Sequence, residues 1–194
     1  PLVGVNHGRL GFLTDISRNP VNASILSRWD ALGLPNAWLV AGCLFQTVWN
    51  VRSGRVPDAG IKDYDLFYFD PMDLSERAER ESQASVNALF GDLGVDIEVA
   101  NQARVHLWYP SFFHRPYPVL DSAEDGIRRF LVAETCVGVR PRECHAPFGL
   151  AGIYAGTLTA NPLVPYPELF AAKVASYRSR WPNLEVRPAR PGDS

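Results

Sequence analysis

The sequence predicts an α/β (α+β) domain in which a small mixed β-sheet is flanked by helices. Three observations predict it. Segments of helical and strand periodicity are interspersed without alternating strictly. A chain of 194 residues, 46% hydrophobic, buries one substantial core but not two. No internal repeat or low-complexity tract imposes another architecture.

The elements follow in order. Residues 24–32 bring Ile25, Leu26, Trp29 and Leu32 onto one helical face, with Gly33 as a left-handed stop. Residues 38–41 read as a short buried strand broken by Gly42, after which Leu44, Phe45, Val48 and Trp49 share a helical face. Residues 52–60 are rich in glycine and proline and are expected to be an exposed, mobile loop. Residues 64–69 are apolar at almost every position, which predicts a central strand covered on both faces and ended by Pro71. Asp73 with Glu76 reads as a capping box for a polar helix running to about residue 89. Residues 95–100 and 104–108 alternate polar with apolar positions and predict two half-buried strands. Asp121 with Glu124 opens a helix carrying Ala123, Ile127, Phe130 and Leu131, and residues 136–139 form another short strand. A last helix begins at Pro167 and ends at Trp181-Pro182.

Charge and cysteine usage narrow the function classes. A net charge of −2 and a pI near 6.1 give no general attraction to nucleic acid or anionic membranes, so a polyanionic ligand must be held locally. No stretch approaches the roughly 18 to 20 apolar residues of a membrane span, and the start lacks a signal-peptide pattern, so a cytoplasmic location is expected. Cys43, Cys136 and Cys144 contain no CxxC pair, and His7, His106, His114 and His145 show no zinc-ligand spacing.

The chemistry points to Lys62-Asp63-Tyr64-Asp65. Aspartates at i and i+2 on a strand point the same way, roughly 6.5 to 7 Å apart at the backbone, and converge on a cation. Hard oxygen ligands select magnesium or manganese, which bridge triphosphate oxygens. A neighbouring strand adds a third acid, with Glu98 the candidate and Asp96 the runner-up on the same face. Asp-x-Asp alone is a weak motif, because aspartate before a strand is often a turn residue. It gains weight here because burying ionised acids without a counter-charge is costly and only Lys62 is near in sequence. Asp70 has the opposite parity and reads as a turn residue.

Gly42 either presents a helix N-terminus to phosphate or serves only a tight turn. Cys43 reads as a small buried side chain rather than a nucleophile, having no base near it in sequence. Asn101, Gln102, Arg104 and His106 form either a phosphate-facing rim or a solvated strand edge, and His106 serves equally as a core histidine. The aromatics Trp108, Tyr109, Phe112, Phe113 and Tyr117 read as core or lid packing before base stacking.

At these residues the sequence resembles the small, mostly bacterial nucleotidyltransferase-like proteins of the polymerase-beta-type nucleotidyltransferase superfamily. The resemblance rests on residues 38–49, 62–70, 98–106, 134–140 and 146–150, in order and spacing across about residues 19–186. It implies a nucleotidyltransferase-like domain over residues 19–188 and a tail over 189–194. It further implies a glycine turn at Gly42, an Asp-x-Asp at Asp63 and Asp65, and a third acid at Glu98. These three acids are the expected catalytic and metal-binding residues, and Gly42, Cys43, Gln46, Asn101, Arg104 and His106 the expected nucleotide-binding ones. The superfamily's usual glycine-serine turn is Gly42-Cys43 here.

The reaction implied is attack of a hydroxyl on the α-phosphate of a nucleoside triphosphate with loss of pyrophosphate, supported by Mg2+ or Mn2+. The acceptor is left open. The alternatives are a nucleotide-binding or regulatory module of the same fold without turnover and, ranked after it, an NAD kinase fragment. Residues 1–18 stand outside the pattern, and residues 4–16 are similar to a short segment of NAD kinase, whose upstream nucleotide motif is absent. That leader is expected to be poorly ordered or to add an edge strand.

Overall fold

The computed structural model describes residues 8–188. Five strands, β1 (Trp38–Val40), β2 (Asp63–Tyr68), β3 (Asp96–Asn101), β4 (Gly138–Arg140) and β5 (Glu143–His145), form one sheet in the order β3-β2-β1-β4-β5. β2 and β3 run parallel and the other neighbours antiparallel, which is the mixed sheet the sequence predicts. A separate parallel pair joins β6 (Thr157–Thr159) to β7 (Glu185–Arg187).

The helices are α1 (Arg9–Ile16), α2 (Pro20–Ser27), α3 (Gly42–Arg52), α4 (Glu76–Phe90), α5 (Val105–Phe113), α6 (Ala123–Ile127), α7 (Ala151–Ala155) and α8 (Pro167–Arg180). Their starts are set by side-chain caps. Asn19 accepts from the amides of Val21 and Asn22, so α2 begins at Pro20, ahead of the expected residue 24, and gives way to a 3-10 turn at Trp29–Ala31. Ser75, not Asp73, caps α4 by accepting from Ala78, while Asp73 accepts from Ser75 one turn earlier. Ser122, not Asp121, caps α6.

Other expectations are corrected too. Residues 104–108 are helical, because Asn101 accepts from the Ala103 amide at 3.1 Å and turns the chain into a 3-10 turn that runs on into α5. A five-residue alternation is too short to outweigh that turn. Residues 9–16 are neither an edge strand nor poorly ordered: α1 buries Phe12 and Ile16 completely, and Asp15 accepts from the Tyr154 hydroxyl at 2.6 Å. Residues 1–7 of that leader lie outside the described residues. The 52–60 loop is exposed, as expected, and Asn50 donates to its carbonyls at Pro57 and Ala59 at 3.1 and 2.9 Å.

The two faces of the sheet differ. Tyr64, Leu66 and Tyr68 of β2 are in register with Ile97, Val99 and Asn101 of β3, and these side chains pack into the core with residues of α2, α3 and α4 such as Ile25, Leu44 and Val86. On the opposite face Asp63, Asp65 and Phe67 align with Asp96, Glu98 and Ala100. β2 is therefore covered fully on one face only, against the expectation for residues 64–69. At one end of the open face Phe67 stacks on Phe130, and Ile127 lies so close to Gly138 that a Cβ there would come within 2.6 Å of it.

Candidate active site

β1 leads straight into α3 through Ala41, which takes φ 51° and ψ −106°. This is strained for a residue with a Cβ. The turn expected at Gly42 is thus made one residue earlier. Its carbonyl accepts from Leu44 and Phe45, and its amide donates to Val137, so both ends of the strained residue are fixed. The start of α3 is brought beside Asp63 and Asp65, because β1 and β2 pair with Val40 opposite Asp65.

Two cavities meet at Asp65. The smaller, about 350 Å³, is bordered by Gly42, Gln46, Asp63 and Asp65 together with the cations Lys62, Arg129, Lys173 and Arg180. The larger, about 730 Å³, is walled mainly by aromatic and aliphatic side chains from α5, from the chain before α6 and from residues 163–166. Asp65, Arg129 and Phe130 border both; of these two cavities Asp63 borders only the smaller and Glu98 only the larger.

The cations of the smaller cavity are placed by packing. Lys173 and Arg180 lie seven residues apart on α8, two helical turns on one face. That helix is held to α3 by Phe45, Trp49, Tyr177 and Trp181, whose ring centroids are 4.7 to 5.5 Å apart in successive contacts. Arg180 donates to Gln46 at 2.9 Å and stacks on Trp181. The Nε of Arg129 is buried without a hydrogen-bond partner.

Burial, then the charges of Glu98 and Asp63, raise the Asp65 carboxyl to about 6, with Lys173 opposing. Its ionised form is therefore disfavoured despite Lys173, and a hard divalent cation beside it would offset that cost. Asp63 and Asp65 suit such an ion, with oxygen donors on one strand face. Among the described residues no three Asp, Glu, His or Cys side chains are already gathered into a group that could hold a metal by themselves. Magnesium is commonly bound through one or two carboxylates, with water and phosphate oxygens supplying the rest.

A family model described as nucleotidyltransferase matches residues 27–186. The chain belongs to the nucleotidyltransferase family. The fold agrees: a solved NMR structure described as revealing a CCA-adding enzyme head domain superposes with a TM-score of 0.74 at 23% identity, covering 94% of this chain and 97% of the other. No curated protein matches.

In this nucleotidyltransferase-family chain the expected site residues divide. Asp63, Asp65, Gly42 and Gln46 meet at the smaller cavity, with Glu98 across Asp65. Cys43 does not reach it: its thiol is fully buried, lies 3.7 Å from the Val40 carbonyl, and is pushed well above the usual thiol range by burial. Asn101 and Arg104 face the other side of the sheet. Asn101 is used by Asp70 and Ala103, and Arg104 pairs with Glu79 of α4 and donates to the Leu74 carbonyl. His106 borders neither cavity. Asp70 is the turn residue expected, accepting from Met72.

Sequence reasoning missed Arg129, Lys173 and Arg180. The i, i+7 spacing of Lys173 and Arg180 on one face of the last helix was the available signal; nothing local marks Arg129. No helix among the described residues is long and apolar enough to cross a membrane.

Proposed function

We propose that this protein transfers a nucleoside monophosphate from a nucleoside triphosphate to a hydroxyl acceptor, releasing pyrophosphate. The observation that carries the reading is the position of Asp65 where a cationic cavity meets an apolar one, with Asp63 on the cationic side and Glu98 on the apolar side. Asp63 and Asp65 would hold Mg2+ or Mn2+, which when bound supplies charge neutralisation at the phosphates. Lys62, Lys173, Arg180 and Arg129 bind the triphosphate and stabilise the charge of departing pyrophosphate. Glu98, on the far side of Asp65, accepts the proton of the attacking hydroxyl. The aromatic walls of the larger cavity exclude water that would compete with the acceptor.

The test is thermal melting with each nucleoside triphosphate, with and without magnesium. A magnesium-dependent rise lost in Asp63→Asn supports the reading, and no rise with any nucleotide overturns it. The buried Cys43, standing where the superfamily usually carries a serine, favours a second reading: a nucleotide-binding module that does not turn its ligand over. Pyrophosphate release separates the two.

A further inference from the structure

The acceptor is unidentified, but the two cavities constrain it. In phosphoryl-type transfer the attacking and leaving oxygens lie roughly in line on opposite sides of phosphorus. Pyrophosphate departs into the cavity that carries Lys62, Lys173 and Arg180. The attacking oxygen then needs a separate approach to the phosphorus, and the larger cavity, which adjoins the cationic one at Asp65, Arg129 and Phe130, offers it.

That cavity has the chemistry of a small-molecule site. Its volume of about 730 Å³ falls within the usual range for ligand pockets, roughly 300 to 1,000 Å³. Trp108, Tyr109 and Phe113 project from one helix toward Tyr117 and Phe130, with the Tyr109 ring 4.5 Å from both Phe113 and Tyr117. Burial pushes the Tyr117 hydroxyl up to about 12, so it remains a neutral donor. The charged side chains on the lining are Asp65, Glu98 and Arg129, and Arg129 also borders the phosphate cavity.

Resting on the reading above, we propose that the larger cavity is the acceptor site and that it takes a neutral small molecule with a flat aromatic body and a hydroxyl group. Flat rings stack on the aromatic walls, and the hydroxyl reaches Glu98 beside Asp65. The acceptor oxygen forms a bond to the α-phosphorus, the bond from that phosphorus to the bridging oxygen breaks, Glu98 takes the hydroxyl proton, and pyrophosphate leaves into the cationic cavity. A single-stranded RNA acceptor would need a basic track along its backbone, and this lining offers one shared arginine.

The experiment titrates the full chain calorimetrically with 4-(2-hydroxyethyl)phenol, without nucleotide, in the wild type and in two variants. Ala100 faces the cavity from β3, so Ala100→Phe fills it, whereas Phe113→Ala removes part of its wall at a half-exposed helix end. Saturable binding is expected, weakened by roughly tenfold or more in Ala100→Phe and about three- to tenfold in Phe113→Ala. Added Mg·NTP should then release pyrophosphate faster with the phenol present. Absent binding, binding indifferent to both variants, or displacement by a short single-stranded RNA overturns the proposal while the magnesium-dependent melting shift still stands. Phenol binding without any nucleotide shift overturns the acceptor role together with the parent reading.

Discussion

The two faces of β2 carry opposite arrangements on alternating residues. Tyr64, Leu66 and Tyr68 are buried and satisfied, the Tyr64 hydroxyl meeting Asn19 at 3.1 Å. Asp63, Asp65 and Phe67 border cavities, and Asp65 is held near 6 by burial and by its acidic neighbours. The buried face secures the fold, while on the other face Asp65 is held at an electrostatic cost. Strain kept on the cavity face is what a charged substrate can relieve.

Substitutions on one face should therefore change function without costing stability, and the reverse on the other. Asp65→Asn is expected to lower nucleotidyl transfer by about 100- to 1,000-fold or more, read as pyrophosphate release. The same variant should be more stable at pH 7 by about 1–3 kcal/mol. The sign follows from the carboxyl: folding raises it from 3.8 to about 6, so the folded state binds the extra proton and stability falls as pH climbs through that window. The gain should vanish below about pH 4, where both states are protonated, and denaturation at pH 3.5 and 7 checks it.

On the satisfied face, Leu66→Ala is expected to cost about 2–5 kcal/mol, lowering Tm by about 2–4 °C per kcal/mol in a scanning calorimeter. Next in size, Lys173→Gln should raise KM for the nucleotide roughly tenfold, through loss of a charged contact to phosphate, with a smaller change in kcat. Tyr64→Phe is the finest probe: it should cost about 0.5–1.5 kcal/mol and leave nucleotide binding unchanged. A Tyr64→Phe protein with impaired nucleotide binding would break the separation of the two faces.

The parts of this design that local pattern encodes were legible in the sequence. Period-two spacing placed Asp63, Asp65 and Glu98 on one face, and the apolar run with its glycine break located β1, α3 and β2. Helix starts were misplaced where several capping residues compete within three positions, as Asp73 and Ser75 do. Residues 104–108 were misread because a single Asn101 side chain decided between strand and helix. The phosphate-side cations were illegible for a different reason. Their i, i+7 spacing puts Lys173 and Arg180 on one face of α8, but it is the packing of α8 on α3 through Trp49 and Trp181, a tertiary event, that sets that face on the cavity of Asp65.

Asn50 ties these parts together in a way that matters to anyone engineering the chain. Its carboxamide donates to Pro57 and Ala59 and accepts from the Trp181 indole at 3.1 Å. Residues 52–60, exposed and glycine-rich, look like a natural place to insert an epitope tag or to open the chain for circular permutation. They are instead a measured spacer, cut to length between the helix that anchors the cations and the strand that presents the acids. Labels belong elsewhere on the surface, on the solvent side of α4.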